Sequence, residues 1–236
     1  MTLDDCKPFL PVAHRALDFV EPGQTIGLGS GRASMAFLLA LGERVRQGLR
    51  VQGVATSEAI ATQARKEGIP LLDLAGSRVL DQDFDGADEV DPELNLIKGL
   101  GGALLREKVV ASAARRLVIL VGQEKQVPRL GSHGILPIEV VPFALDFCRE
   151  RLRDLGLPAK VRMAGAQRFV TDNGNHILDG EISPLDDPAS LDRSLHEIPG
   201  IVETGLFLAM ADVVLIQTDS GVSERHRPRN STAPAE

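Results

Sequence analysis

Apolar residues recur along the chain in two rhythms, and the change from one to the other divides it. Phe9, Val12, Ala13, Ala16, Leu17 and Val20 stand at helical spacing, which predicts a helix over residues 4–20. Glu21-Pro22-Gly23 breaks it. The apolar run Thr25-Ile26-Gly27-Leu28 predicts a short buried strand, and the small residues from Gly29 to Ser34 form a loop into a helix that lasts through Gln47. Leu49 to Val54 is the next strand. Ser57-Glu58 starts a helix and Gly68 stops it. Ile69 to Leu72 is again extended, Leu80 to Phe84 is a strand poor in apolar residues, and Leu117 to Val121 is apolar at every position. Strands alternating with helices at this spacing predict a parallel sheet covered on both faces.

After Gly131 the order changes. Pro137–Val141 is strand-like, 144–155 helical, and 160–163 and 168–171 extended. Asp172-Asn173-Gly174-Asn175 turns the chain into His176-Ile177-Leu178. A helix over 188–198 and a strand over 201–204 complete a β-α-β-β-α-β series, the ferredoxin-like order. Ala211 to Gln217 is one more apolar strand, placed to return to the first sheet. The expected organisation is an α/β domain of residues 1–130 plus 205–219 and a smaller α+β domain of 131–204. The polar, proline-containing residues 220–236 are expected to be a disordered tail.

The chemistry concentrates between Asp85 and Lys108, DGADEVDPELNLIKGLGGALLREK. Acids precede a glycine turn, Lys98 stands at the turn, and Glu107 follows on a helix with Leu104, Val110 and Ala111 around it. Gathered acids and a lysine suit general acid–base work beside an anion, and a carboxylate on a partly apolar face acquires a raised pKa. Gly27 to Ser34, between a strand and a helix, fits either a ligand-free turn or an anion site made of backbone N–H groups. It matches neither the dinucleotide nor the P-loop spacing. Magnesium accepts carboxylates such as Asp85 and Asp88, yet neither histidines nor further acids complete a cage, so no metal and no cofactor is expected.

Composition narrows the partners. The net charge is −7, and tryptophan and tyrosine are absent. Both features argue against nucleic acid, which favours a basic face and stacking aromatics. Two cysteines give no disulfide framework and no zinc spacing, the N-terminus lacks a signal-peptide pattern, and no run reaches the ~20 apolar residues of a membrane span. A cytoplasmic location with no membrane partner is expected.

The motifs GLGSG (27–31), DGADEVD (85–91), KGLGGALLREK (98–108), EKQVP (124–128), VTDNGNHILD (170–179) and IPGIVETGLF (198–207) together resemble the type A ribose-5-phosphate isomerase family. The resemblance implies a Rossmann-like parallel-sheet domain with a smaller ferredoxin-like domain. It also implies cofactor- and metal-free interconversion of ribose 5-phosphate and ribulose 5-phosphate, by a homodimer or tetramer. Carried over by position, Glu107 is similar to the family's base, Asp85 and Asp88 to its paired acids, and Lys98 to the lysine of its glycine turn. Ser30, Gly31, Arg32, Ala33, Gly86, Ala87, Gly99, Leu100, Gly101 and Lys125 fall at substrate-contacting positions. Here Arg32 and Ala33 replace hydroxyl residues of the family loop, with Ser34 as a late substitute, and Leu100 replaces a glycine. Two other readings stand beside this one: a non-catalytic sugar-phosphate sensor, and an amino-sugar phosphate deaminase on a similar fold.

Overall fold

A computed structural model describes residues 3–74 and 79–228. The first apolar stripe forms α1 (Leu3–Cys6), a 3-10 turn over Lys7–Phe9 and α2 (Leu10–Leu17) instead of one helix. Pro8 and Pro11 each fit a first turn and would break a helix interior, so the helix restarts at each.

The main sheet uses β1 (Thr25–Leu28), β2 (Gln52–Ala55), β3 (Gln82–Asp85), β6 (Leu117–Gly122), β14 (Val213–Thr218) and β15 (Gly221–His226), in the order β15-β14-β6-β3-β1-β2. All neighbours are parallel except β15, which runs antiparallel to β14. The expected strand over 69–72 contributes only a bridge from Leu71 to Gly53. The expected disordered tail is corrected at its start. Residues 221–226 pair fully with β14, and Arg225 and Arg227 bond the carbonyls of Pro92, Leu94 and Ala211. An edge strand with one solvated face needs few apolar residues, so its polar sequence hid it. The rest of that expectation, 229–236, lies outside the described residues.

Alternation along the strands builds two cores. Val118 and Leu120 of β6 pack with Ile26, Leu28, Phe84, Val213 and Leu215 beneath α2 and α3 (Arg32–Arg46). Leu117, Ile119 and Val121 point the other way, to Val214, Ile216, Leu96 and Phe207. Phe84 stacks on Phe37 with ring centroids 4.3 Å apart. The same alternation turns Asp83 and Asp85 to the opposite face of β3, where α5 (Leu104–Ala113) lies. Between them a three-stranded sheet, ordered β13-β5-β4, uses β4 (Glu89–Val90), β5 (Leu96–Ile97) and β13 (Leu206–Phe207).

The second lobe has β7 (Ile135–Val140), α6 (Leu145–Asp154), β8 (Ala159–Val161), β11 (His176–Glu181), α7 (Pro188–His196) and β12 (Ile201–Thr204). Its antiparallel order β12-β7-β11-β8 is ferredoxin-like. A short ribbon of β9 (Met163–Ala164) and β10 (Gln167–Arg168) is inserted before β11. Among the described residues no helix is long and apolar enough to cross a membrane.

Candidate active site

Parallel strands that end together leave a crevice at their carboxyl edge. Ser30 follows β1 there, Asp85 ends β3 and Gly122 ends β6, around a cavity of about 230 Å³. Ser30, Gly31, Arg32, Ala33, Gly86, Ala87, Asp88, Lys98, Gly99, Gly101, Glu107 and Lys125 line it. Asp85 and Leu100 do not line it. Asp85 is 1% exposed and lies behind Lys98, while the Leu100 side chain is 45% exposed outside the cavity.

Lys98 is the hub. Its Nζ lies 3.0 Å from Asp85 Oδ2 and 3.2 Å from Glu107 Oε2, and it donates to the Gly86 carbonyl at 2.5 Å. The two carboxylate contacts are ionic approaches without hydrogen-bond alignment. Burial opposes the lysine's charge, but Asp85 and Glu107 outweigh it and raise its pKa, so it stays an ammonium. Burial raises the Asp85 pKa, against Lys98 and against N–H donors from Gly86 (2.7 Å) and Ser30 (3.0 Å). Glu107, in the first turn of α5, is pushed up to about 8 by burial and then by Asp85. It is therefore the group of this cluster placed to exchange a proton near neutral pH.

The glycine loop is shaped by close approach. A Cβ on Gly29 would lie 2.2 Å from the Asp85 carboxyl, so only glycine lets β1 pass this close. Ser30 Oγ bonds Thr56 Oγ1 at 2.9 Å and Ser57 Oγ at 3.2 Å. Ser34 is not a substitute hydroxyl for the cavity: it is buried, and its Oγ donates to Asp85 at 3.3 Å. No side chain caps α3, whose first residues line the cavity, an arrangement that favours an anion. The Arg32 guanidinium stands 5.4 Å from the Phe9 ring, which also lines the cavity.

Sequence reasoning missed Phe9, which had been absorbed into a helix stripe, and Asp83. The signal for Asp83 was its period-two relation to Asp85. Asp83 is fully buried against Gly27 and Val110, and neither of its oxygens has a hydrogen-bond partner. Burial and then Asp85 raise its pKa well above the usual carboxylate range. A carboxyl with a raised folded pKa contributes stability that is complete below its unfolded pKa and is lost as pH rises through the folded one. Asp83→Leu, which replaces both carboxyl oxygens with methyl groups, is expected to stabilise the protein by about 1–3 kcal/mol at pH 8 and by less at pH 5. Urea unfolding at the two pH values checks this; equal gains at both would show that Asp83 does not titrate.

Structure also assembles a group that the scattered histidines did not announce. Asp192 and His196 on α7, with Glu203 on β12, bring ligand atoms within 4.8 Å of one another. Lys108 Nζ already takes Glu203 Oε1 at 2.6 Å. The trio does not line the cavity.

Residues 52–221 match the family described as ribose 5-phosphate isomerase A (phosphoriboisomerase A). The chain is 48% identical to ribose-5-phosphate isomerase A of Gloeobacter violaceus, covering 94% of this chain and 96% of that one. It is 48% identical to that of a Roseiflexus species, covering 92% and 94%. Among solved structures it is similar to ribose 5-phosphate isomerase A of Methanocaldococcus jannaschii (TM-score 0.88, 38% identity, covering 93% of this chain and 98% of that one). It is also similar to a D-ribose-5-phosphate isomerase in complex with phospho-erythronic acid (TM-score 0.89, 37% identity, 96% and 100%).

Proposed function

The chain belongs to the ribose 5-phosphate isomerase A family, and from that premise we propose how its site performs the family reaction. It is an aldose–ketose isomerase that interconverts ribose 5-phosphate and ribulose 5-phosphate. The sensor and deaminase readings are not favoured by these relatives.

The reaction moves one proton between C2 and C1 of the open-chain sugar, and its barrier is dominated by the negative charge of the enediolate. Glu107 takes the C2 proton and returns it to C1. Lys98, held as an ammonium, stabilises the enediolate oxygens without having to reorganise. Asp85, the first of the paired acids, sits behind Lys98 and keeps it charged. Asp88 is the paired acid on the cavity wall and takes over proton traffic at the hydroxyls. Ser30 to Ala33, the start of α3 and Lys125 hold the phosphate. Gly86, Ala87, Gly99 and Gly101 shape the wall along the sugar. The observation that carries this reading is the buried Glu107 carboxyl, raised to about 8, beside a lysine that remains charged.

The test is an aldose–ketose assay on ribose 5-phosphate with and without EDTA. Turnover unaffected by the chelator is expected, because the Lys98 ammonium already fills the space between the two carboxylates where a divalent ion would stand. Activity abolished by EDTA and restored by Mg²⁺ would overturn the mechanism.

Arg32→Ala is expected to raise KM for ribose 5-phosphate about tenfold, with kcat little changed, as one charge-assisted contact of ~1.5–3 kcal/mol is lost. Steady-state kinetics check it; an unchanged KM would leave Arg32 stacked on Phe9 and the phosphate to backbone N–H groups.

The proposed quaternary state is a homodimer. Its support is a surface aromatic pair, Phe143 (102% exposed) in the 3-10 turn before α6 and Phe147 (44%) in the first turn of α6, in a chain with only eight aromatic residues. The proposed compartment is the cytoplasm. Residues 1–130 and 205–219 would act as the catalytic domain, with 131–204 bracing it.

A further inference from the structure

We propose that Arg162, in the ferredoxin-like lobe, is a positioning residue for the isomerisation: it aligns the peptide groups of the Gly99–Gly101 turn so that the Gly101 N–H faces the cavity. The proposal rests on the reading of the site above.

Arg162 follows β8 and reaches across to the turn between Lys98 and α5. Its Nη1 donates to the Gly99 carbonyl at 2.7 Å and to the Leu100 carbonyl at 3.0 Å. Its Nε donates to Asp179 Oδ2 at 3.0 Å, and its Nη2 pairs with the other Asp179 oxygen. The side chains of Arg162 and Asp179 are 12% and 25% exposed, so the fork is held in a largely dry place. Gly99 has φ +106°, a conformation a side chain would resist, and this sends two successive carbonyls to one guanidinium.

A planar trans peptide points its N–H opposite its C=O. The first peptide of the turn obeys this visibly: the Gly99 carbonyl goes to Arg162, and the Leu100 N–H goes to Asp88 Oδ2 at 2.9 Å, on the cavity wall. The next peptide has the same polarity, with the Leu100 carbonyl on Arg162. Its N–H belongs to Gly101, which lines the cavity. Two parallel peptide dipoles thus aim their positive ends at the sugar, one engaged by Asp88 and one directed at substrate oxygen. Only a donor fixed before the reaction begins stabilises an oxyanion without a reorganisation cost. Arg162 supplies that fixation from the second lobe, and the Lys98 peptide N–H, bonded to the Gly205 carbonyl at 2.9 Å, anchors the turn's other end.

The test compares Arg162→Ala, Arg162→Lys and Asp179→Asn with wild type for kcat, KM and thermal midpoint. Arg162→Ala is expected to lower kcat about 10–100-fold, less than the ~10²–10³-fold of deleting an oriented donor because the N–H is misaligned and not removed, with KM changed less than threefold. Millimolar guanidinium should restore part of that kcat, and Arg162→Lys should retain more activity than Ala. Asp179→Asn should cause a smaller fall, and the double variant should be no worse than Arg162→Ala alone. If Arg162→Ala does not fold, Arg162→Lys and Asp179→Asn decide by the same kcat-against-KM split. A kcat within twofold of wild type, or a loss carried by KM or by unfolding and not recovered with guanidinium, overturns the proposal. Wild-type protein inactive on ribose 5-phosphate would instead overturn the functional reading beneath it.

Discussion

Glu107→Gln is expected to lower kcat by about 10²–10⁴-fold, the usual range for losing a general base, with KM for ribose 5-phosphate and the fold largely kept. Glutamine matches glutamate in size and offers Lys98 a carbonyl oxygen, but it accepts no proton. The proposed phosphate contacts, Ser30 to Ala33 and Lys125, lie away from the first turn of α5. The wild-type pH profile supplies a second arm. The base works only when ionised, so kcat/KM should rise with pH and level off above an apparent pKa near 8. That value belongs to the coupled Glu107, Asp85 and Lys98 cluster rather than to one residue. Stability should move the other way: the stabilisation tied to a protonated Glu107 is complete below the ordinary glutamate pKa of ~4.3 and is lost as pH rises through about 8. The glutamine variant, unable to ionise, should therefore gain on wild type at alkaline pH. Exchange of the substrate C2 proton with deuterated solvent, followed by NMR, should vanish with kcat. A variant retaining more than about a tenth of wild-type kcat would move the base elsewhere.

The trio at the centre was legible because Asp85, Lys98 and Glu107 sit within one continuous stretch whose glycines and apolar helix residues announce a turn and a buried face. What each acid of that stretch does was not legible, because composition groups residues that the fold separates. Asp88 clips the Leu100 N–H. Glu89 is buried and accepts from the Gly131 and His133 N–H groups, pinning a loop far along the chain. Asp91 closes its own turn by accepting from Asn95. Glu93 is on the surface. Of the five acids that precede Lys98 in the stretch, only Asp85 touches its Nζ, and that depends on the strand parity that also buries Asp83 beside it. The sheet was legible where apolar runs were continuous, as in β6, and illegible where pairing stabilised polar residues, as in β15. Arg162 carried no signal at all: its partners at the turn are backbone carbonyls more than sixty residues away, which leave no mark on side-chain pattern.

Lys98→Met is expected to remove activity as deeply as the loss of an oxyanion donor, about 10²–10³-fold in kcat, and to destabilise the protein in a pH-dependent way. Methionine fills the stem's volume beside Phe207, whose ring lies 5.4 Å from Nζ, so packing is nearly conserved and the charge is the variable. Without that charge, Asp85 and Glu107 face each other buried and uncompensated; stripping one partner from a buried pair costs about 3–5 kcal/mol. The carboxyls can escape by taking up protons, so their folded pKa values should rise further than in wild type. Groups with raised folded pKa values contribute stability that is complete below their unfolded values and lost as pH climbs through the folded ones. The deficit relative to wild type should therefore be small near pH 5 and largest near pH 8 to 9, and residual activity should shift to higher pH. Urea unfolding across that range reads the first effect and the pH–rate profile the second. A deficit independent of pH would mean that Lys98 acts by filling space, and kcat within tenfold of wild type would remove it from enediolate stabilisation and leave the Gly101 N–H as the principal donor.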